Sequence, residues 1–287
     1  MKIVILGGSG FLGSHVADEF SKRGHKVTIF DKIKSQWIKP TQRMRVGNIL
    51  NLKDLEKVIK GADAVYHFAA LADLNQALKQ PINSVTINIL GTVMALNLCC
   101  KYNVKRFVHA STIYVNSIEG GFYRASKRAA EDYVEEYNKM YGLNFTILRF
   151  GSLYGPRSDN TNGVKRILIA AIKNGRLSYA GSKKTLRRYI HVTDAAKACV
   201  QSLKNKYKNK HIIITGKKEI KIKEFLHKVS RILDISKKII FKNKFYPGHY
   251  ETNPYTFRFK KGEIFRYKTK VNIYREILKI INEIKKK

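Results

Sequence analysis

The stretch Ile3-Val4-Ile5-Leu6-Gly7-Gly8-Ser9-Gly10-Phe11-Leu12-Gly13 decides the fold. Four consecutive apolar residues that stop at glycine read as a strand buried on both faces, as in a parallel sheet. Phe11 to Arg23 then carries helical spacing, and Lys26-Val27-Thr28-Ile29-Phe30-Asp31 reads as a second strand that ends in an acid. The result is a βαβ unit with its glycines at the first strand-to-helix turn. Gly7, Gly10 and Gly13 are spaced G-x-x-G-x-x-G. Such glycines allow a tight turn and close approach of backbone to a pyrophosphate, whose charge is met by the free N–H groups of the next helix. The preceding strand, the following helix and Asp31 supply the context that the motif needs. A carboxylate at Asp31 accepts hydrogen bonds from the adenosine ribose and repels a 2′-phosphate, which favours NAD over NADP. Lys32 and Lys34 pull the other way, because nearby cations accommodate that phosphate.

The alternation continues outward from this unit. Arg43 to Val46, Ala64 to Phe68, Arg106 to Ser111 and Asn144 to Arg149 read as strands, and Leu52 to Lys60, Ser84 to Tyr102 and Tyr123 to Met140 as helices. Six strands separated by helices describe an α/β fold, a Rossmann-type doubly wound parallel sheet. After Gly155-Pro156 the rhythm loosens. Helices are expected at Gly163 to Asn174, Thr193 to Leu203, Lys221 to Leu233 and Val271 to Ile284, with short strands at Tyr189 to Val192 and His211 to Thr215. The expected organisation is an NAD(P)-binding domain over 1–155. Residues 156–287 form mainly a smaller α/β substrate lobe, with some elements returning to the sheet.

Composition narrows the classes. At 287 residues and 44% hydrophobic content the chain has a sizeable core, which excludes a largely disordered protein. The apolar run at the amino terminus stops at Gly7, too early for a signal peptide, and no apolar run approaches the ~20 residues that span a membrane. A cytoplasmic location is the expectation. Cys99, Cys100 and Cys199 form no disulfide framework and no CxxC pattern, so no metal is expected, and Cys99-Cys100 read as buried thiols. The formal charge is +35, with 31 Lys and Arg against 14 acids before residue 201 and 25 against 7 after it. The excess is mostly lysine scattered among Ile and Asn, without an aromatic-interleaved patch or an arginine cluster, and reads as a solvated surface rather than a nucleic-acid or membrane contact.

Tyr123 and Lys127 lie four residues apart, on one face of their helix. Ser111 and Thr112 immediately follow a strand, and in a doubly wound sheet ligands collect at the carboxyl ends of strands.

With these residues in place, the chain resembles the extended short-chain dehydrogenase/reductase family, in its nucleotide-sugar epimerase and dehydratase branch. The matching stretches are Gly7 to Gly13, His67-Phe68-Ala69-Ala70, Asn88 with Gly91-Thr92, Ser111-Thr112, and Tyr123-Arg124-Ala125-Ser126-Lys127. Further on come Leu148 to Arg157 and Arg187-Arg188-Tyr189-Ile190-His191-Val192 with Asp194. They run in family order over roughly the first two thirds of the chain.

The resemblance implies a catalytic triad of Thr112, Tyr123 as general acid/base and Lys127 as its activator, which lowers the tyrosine pKa and binds the nicotinamide ribose. It implies cofactor contacts at Gly7, Gly10, Phe11, Leu12, Gly13, Asp31, Lys32, Phe68, Ala69, Ala70, Lys127 and Phe150. Asn48-Ile49 stands where the family carries an acid near adenine, and Ile49 is left to pack on the ring. Substrate contacts fall on Thr112, Tyr123, Arg187 at the diphosphate of a nucleoside-diphosphate sugar, and Arg258. Neither His67 nor His191 is given a metal or catalytic role. The helices Ser84 to Tyr102 and Tyr123 to Met140 correspond to those of a homodimer interface, with Val85, Ile89, Val93 and Leu96 on a buried face.

Reaction type follows from what stands beside Thr112. Dehydratases of the family place Asp-Glu there and decarboxylating members a Glu, whereas this chain has Ile113-Tyr114. C4 epimerisation of a nucleoside-diphosphate hexose through a 4-keto sugar needs only a base and a reversible hydride, and is the expected activity. A nucleotide-sugar reductase or dehydrogenase with the same triad, or a dehydratase, is the alternative. A catalytically inactive nucleic-acid-binding relative is a further class that +35 would suit, and intact Thr112, Tyr123 and Lys127 count against it.

Overall fold

The computed structural model describes residues 1–235, 239–242 and 248–257. Arg258 and the helix expected at Val271 to Ile284 lie outside the described residues. In chain order the amino-terminal elements are β1 (Lys2–Leu6), α1 (Phe11–Lys22), β2 (Lys26–Asp31), β3 (Gln42–Val46), α2 (Leu52–Ile59), β4 (Ala64–His67) and α3 (Leu74–Lys79). Next come α4 (Pro81–Val85), a π-helical turn over Thr86–Leu90, α5 (Gly91–Lys101), β5 (Arg106–Thr112), a 3-10 turn over Ile113–Asn116, α6 (Gly121–Tyr141) and β6 (Phe145–Phe150). The remainder is β7 (Ser152–Tyr154), α7 (Gly163–Asn174), β8 (Ser178–Tyr179), β9 (Leu186–Arg187), β10 (Tyr189–His191), α8 (Val192–Gln201), β11 (Lys210–Ile214), β12 (Ile220–Lys221), α9 (Ile222–Ile232) and β13 (Ile240–Phe241).

Seven strands form one parallel sheet in the order β11-β6-β5-β4-β1-β2-β3. β1 lies inside it with helices on both faces, which is why its sequence is continuously apolar. Val4 and Leu6 face one core with Leu55, Ile59, Leu96, Phe107, Val134 and Ile147. Ile3 and Ile5 face the other with Val16, Phe20, Ile29, Tyr66, Ala195 and Cys199. Each such side chain taken from water contributes about 1.5–3 kcal/mol, so these two layers outweigh the surface ion pairs, worth about 0–1 kcal/mol each. From β1 the chain steps outward to β3, then crosses back to β4 on the other side of β1. That reversal opens a crevice at the carboxyl ends of β1 and β4, where ligands bind in folds of this kind.

The structure names the later elements that return to the sheet and changes one reading. The sheet has a seventh strand, because Lys210–Ile214 returns to it, pairs with β6 and buries Ile214 in the main core. α8 likewise packs its Ala195, Ala196 and Cys199 into the core beside α1. Pro81 to Lys101 is also one helical run of 21 residues with mean hydropathy 1.5, long and apolar enough by length and composition to cross a membrane, contrary to the sequence reading. In this fold Ala95, Leu96, Leu98 and Cys99 instead fill the core. On the same helix Leu96 is buried, whereas Val85 is 54% exposed and Ile89 and Val93 are half-buried.

α7, β8, β12, α9 and β13 form a small lobe with its own core of Ala171, Leu177, Ile222, Leu226 and Val229. β7 pairs with β10 and β9 with β12, which carries Arg187 to the side of the sheet where β5 and β6 end.

Candidate active site

The cradle at the switch point is built from backbone. Gly7 has φ +82°, and a Cβ there would fall on the backbone of Phe68 and Ala69 at the end of β4, 2.8 Å from Ala69 Cα. A Cβ at Gly13 would lie 2.9 Å from Gly8 Cα, so α1 can start against the turn only with glycine at that position. Gly10 is the exposed N-cap of α1, which has no side-chain cap and no acid in its first turn. The amides of Phe11, Leu12 and Gly13 therefore keep their donors for an anion. Asp31 accepts from Ser9 N–H at 3.0 Å and from Ile33 N–H at 3.5 Å, so the acid that ends β2 holds the glycine loop. Lys32 is exposed. Asn48 is exposed too, with Oδ1 accepting from Leu50 N–H at 3.0 Å, while the side chain of Ile49 turns into the core against Gly91. Phe68, Ala69 and Ala70 line the β4 end half-buried, and Phe150 lies in the core. The open backbone cradle and the uncapped helix fit a dinucleotide.

The second half of the site hangs on β5 and α6. Thr112 is the last residue of β5, 5% exposed, and its Oγ1 accepts from Tyr114 N–H at 3.3 Å. Gly120, at φ +98°, and Gly121 turn the chain into α6, placing Tyr123 and Lys127 in its first two turns. A Cβ on Gly120 would lie 3.0 Å from that of Tyr114. Lys127 is 2% exposed, and burial lowers it to about 8, opposed by Glu131 one turn on. Its charge also lowers His67, to about 3, and His109, in each case after burial.

Burial pushes the Tyr123 phenol up to about 12.

A buried polar frame holds these pieces in register. Asn88 sits in the π-helical turn, where one extra residue per turn re-aims a side chain. Its Oδ1 accepts from Leu71 N–H at 2.7 Å, and its Nδ2 donates to Leu71 O and to Ser126 Oγ at 2.9 Å. Ser126 donates in turn to Tyr123 O at 3.0 Å, so the loop after β4 and the start of α6 share one anchor. Thr92 donates to Asn88 O and lies 2.9 Å from His67 Nε2. Buried Glu131 and half-buried Arg149 form an ion pair, Nε to Oε1 at 3.1 Å.

Arg187, 8% exposed, lies 4.4 Å from the ring centre of Tyr250 and donates to Leu186 O and Glu251 O. It lines a cavity of about 350 Å³ together with Tyr179, Thr185, His249, Tyr250, Asn253 and Glu119. Neither Thr112 nor Tyr123 lines that cavity. The link between them is Tyr114, whose hydroxyl lies 3.3 Å from His249 Nδ1 on the cavity wall. His191 caps α8, its Nδ1 2.7 Å from Thr193 Oγ1, the structural role expected of it.

The sequence model of the NAD dependent epimerase/dehydratase family matches residues 3–215, which spans the cradle, the Thr112-Tyr123-Lys127 group and Arg187. The chain belongs to this family. It is 27% identical to a protein of Methanocaldococcus jannaschii named "Putative UDP-glucose 4-epimerase", over 99% of this chain and 98% of that one. It is 28% identical to the UDP-N-acetyl-alpha-D-glucosaminuronate decarboxylase of Bacillus cytotoxicus, over 88% and 87%. Among solved structures it resembles UDP-glucuronic acid 4-epimerase from Bacillus cereus, in complex with UDP-glucuronic acid and NAD. The TM-score is 0.81 at 25% identity, over 88% of this chain and 89% of that one. The family is NAD-dependent, as Asp31 indicated, and its members act on nucleotide sugars by epimerisation, decarboxylation or dehydration.

Within this family member the sequence reading brought together the glycine cradle, Asp31 and the Ala69-Ala70 edge on one side and Thr112, Tyr123 and Lys127 on the other. It missed His109, the Glu131–Arg149 pair and the Tyr114–His249 contact. The last spans 135 residues of chain, and nothing local in either segment signals it.

Proposed function

We propose that the protein is an NAD-dependent C4 epimerase of a nucleoside-diphosphate hexose. The observation that carries this reading is the pair of residues after Thr112. Ile113 is buried in the core and Tyr114 extends a neutral phenol, so neither residue after Thr112 offers a carboxylate to take a carbon-bound proton or to assist loss of a leaving group. A base at Tyr123 and a redox partner are what remain.

In this reading the amides at the start of α1 and Asp31 hold the cofactor, which supplies reversible hydride acceptance at the sugar carbon. Thr112 Oγ1 holds the sugar hydroxyl, and Tyr123, as the phenolate, takes its proton and later returns it. Lys127, close to its titration point at neutral pH, is the group whose proton responds when the phenol changes charge. Arg187 neutralises the diphosphate from the cavity wall. Arg258 is proposed as a second cation on the substrate.

The test is incubation of the purified protein with UDP-, dTDP-, GDP- and CDP-sugars without added cofactor. Epimer formation supports the reading. Product only with stoichiometric NAD(P)(H) makes it a reductase or dehydrogenase, and release of carbon dioxide or water from the sugar makes it a decarboxylase or dehydratase.

We further propose a cytoplasmic homodimer. Ile82, Val85 and Leu90 on the Pro81–Lys101 helix and Met140 and Tyr141 on α6 are exposed apolar side chains that a second copy would cover. Light scattering at high dilution that found only a 33 kDa species would refute the dimer.

A further inference from the structure

Tyr114 occupies an unusual place between two parts of the site. Its backbone N–H donates to Thr112 Oγ1, and its hydroxyl, at the other end of the side chain, meets His249 Nδ1 at 3.3 Å. The ring packs edge-on against Tyr250 at 5.5 Å, whose own face carries the Arg187 guanidinium. One residue therefore joins the reaction centre, through its backbone, to the wall of the cavity that holds the cation, through its hydroxyl.

The segment carrying His249 is fastened on both sides. Thr256 and Phe257 donate their N–H groups to Asn116 O, and Ile118 N–H donates to Thr256 Oγ1 at 3.0 Å. On the far side Glu251 O accepts from Leu186 N–H and from Arg187. His249 is thus held relative to both Thr112 and Arg187. Burial, then Arg187 and Arg166, lower it to about 4, and burial raises the phenol well above its ordinary range, so both groups are uncharged at neutral pH. With its proton on Nε2, the imidazole accepts from the phenol and leaves the phenol oxygen able to accept from a hydroxyl.

We propose that Tyr114 is a sugar-contacting residue, and that His249 is the positioning residue that aims its hydroxyl at the ring of a sugar passing from the Arg187 cavity to Thr112. This rests on the nucleotide-sugar reading above and adds to it where the sugar is read. The contact is with a hydroxyl-bearing part of the sugar and not with the nucleotide. A neutral donor–acceptor pair suits a group that must be held yet allowed to turn.

The test titrates the full chain with the glucose nucleotide it binds most tightly among UDP-, dTDP-, GDP- and CDP-glucose, and separately with the matching nucleoside diphosphate. Tyr114→Phe keeps the ring against Tyr250 and removes only the hydroxyl. It is expected to weaken the sugar nucleotide about 3- to 10-fold, the worth of one neutral hydrogen bond, and to leave the nucleoside diphosphate within about 2-fold. In turnover the same variant raises KM with kcat nearly unchanged. His249→Ala reproduces the loss, the double variant is no worse than either single one, and His249→Asn, whose amide oxygen can accept where Nδ1 does, recovers most of it. Equal weakening of both ligands, additive losses, or no loss at all overturns the proposal. If the unmodified protein binds none of the four, the functional reading itself falls and takes this inference with it. Normal binding by the unmodified protein with indifferent variants overturns the inference alone.

Discussion

Replacing Gly10 by Ala should weaken cofactor binding in the cradle without touching the fold. Gly10 has φ −74° and ψ 177°, which any L-residue adopts, and the nearest atom to an added Cβ is Gly7 O at 3.4 Å. Stability should stay within about 0.5 kcal/mol. The methyl group nevertheless stands at the exposed N-cap where a pyrophosphate must reach the amides of α1. Losing one charge-assisted hydrogen bond costs about 1.5–3 kcal/mol, a fall in NAD affinity of about 10- to 150-fold.

Gly24→Ala is the converse control. Gly24 has φ +76° and nothing within 4 Å of its added Cβ, so the variant carries only left-handed strain, about 1–2 kcal/mol, and binds NAD normally. Gly7→Ala combines the two effects. The same strain adds to a clash with the Ala69 backbone worth about 1–3 kcal/mol, a total of roughly 2–5 kcal/mol, with loss of NAD as well. Calorimetric NAD titration and thermal unfolding read the two axes separately, at about 2–4 °C of Tm per kcal/mol for a chain of this size. Wild-type NAD affinity in Gly10→Ala, or a Gly7→Ala variant no less stable than Gly24→Ala, would refute the assignment of the cradle.

Three further outcomes follow from the buried groups. Tyr123→Phe should lower turnover by about 10²- to 10⁴-fold while leaving NAD titration unchanged, since the hydroxyl is the proton-transfer group and the ring keeps its packing. Lys127→Met should be inactive yet more stable at neutral pH. A lysine lowered from 10.5 to about 8 in the folded protein costs up to ~3 kcal/mol at pH 7. Because the unfolded chain binds more protons between pH 8 and 10.5, native stability rises with pH across that window, and the advantage of Lys127→Met shrinks by the same amount. Urea midpoints at pH 7 and pH 10 check this, and an equal gap at both values contradicts it. Glu131→Leu leaves Arg149 without its buried carboxylate and should cost about 3–5 kcal/mol in chemical denaturation, whereas Arg149→Met with Glu131→Leu recovers much of the loss.

The elements legible in the chain were those in which local pattern and burial agree. β1 is apolar at every inner position because both of its faces are covered, and the Gly7 to Gly13 spacing survives because backbone alone forms the turn. Which later elements return to the sheet is not legible, and β11 shows why. Lys210 to Ile214 is an edge strand with Ile213 47% exposed, and a short apolar run does not say which sheet it joins. The Pro81–Lys101 helix was read from Ser84 without its π-helical turn, since the extra residue that re-aims Asn88 leaves no mark in apolar spacing.

Sequence by itself determined the parallel sheet and the glycine turn before α1, because each depends on residue types at fixed short spacing near a strand end, whereas the grouping of Thr112, Tyr123 and Lys127 came from the family resemblance. Only the tertiary structure decided the electrical state of that site. Lys127 falls to about 8 and Tyr123 rises to about 12 because the fold takes both from water, and desolvation depends on neighbours that converge from β4, β5 and α6. The same convergence brought His249 to Tyr114 across 135 residues, a contact that no spacing rule encodes.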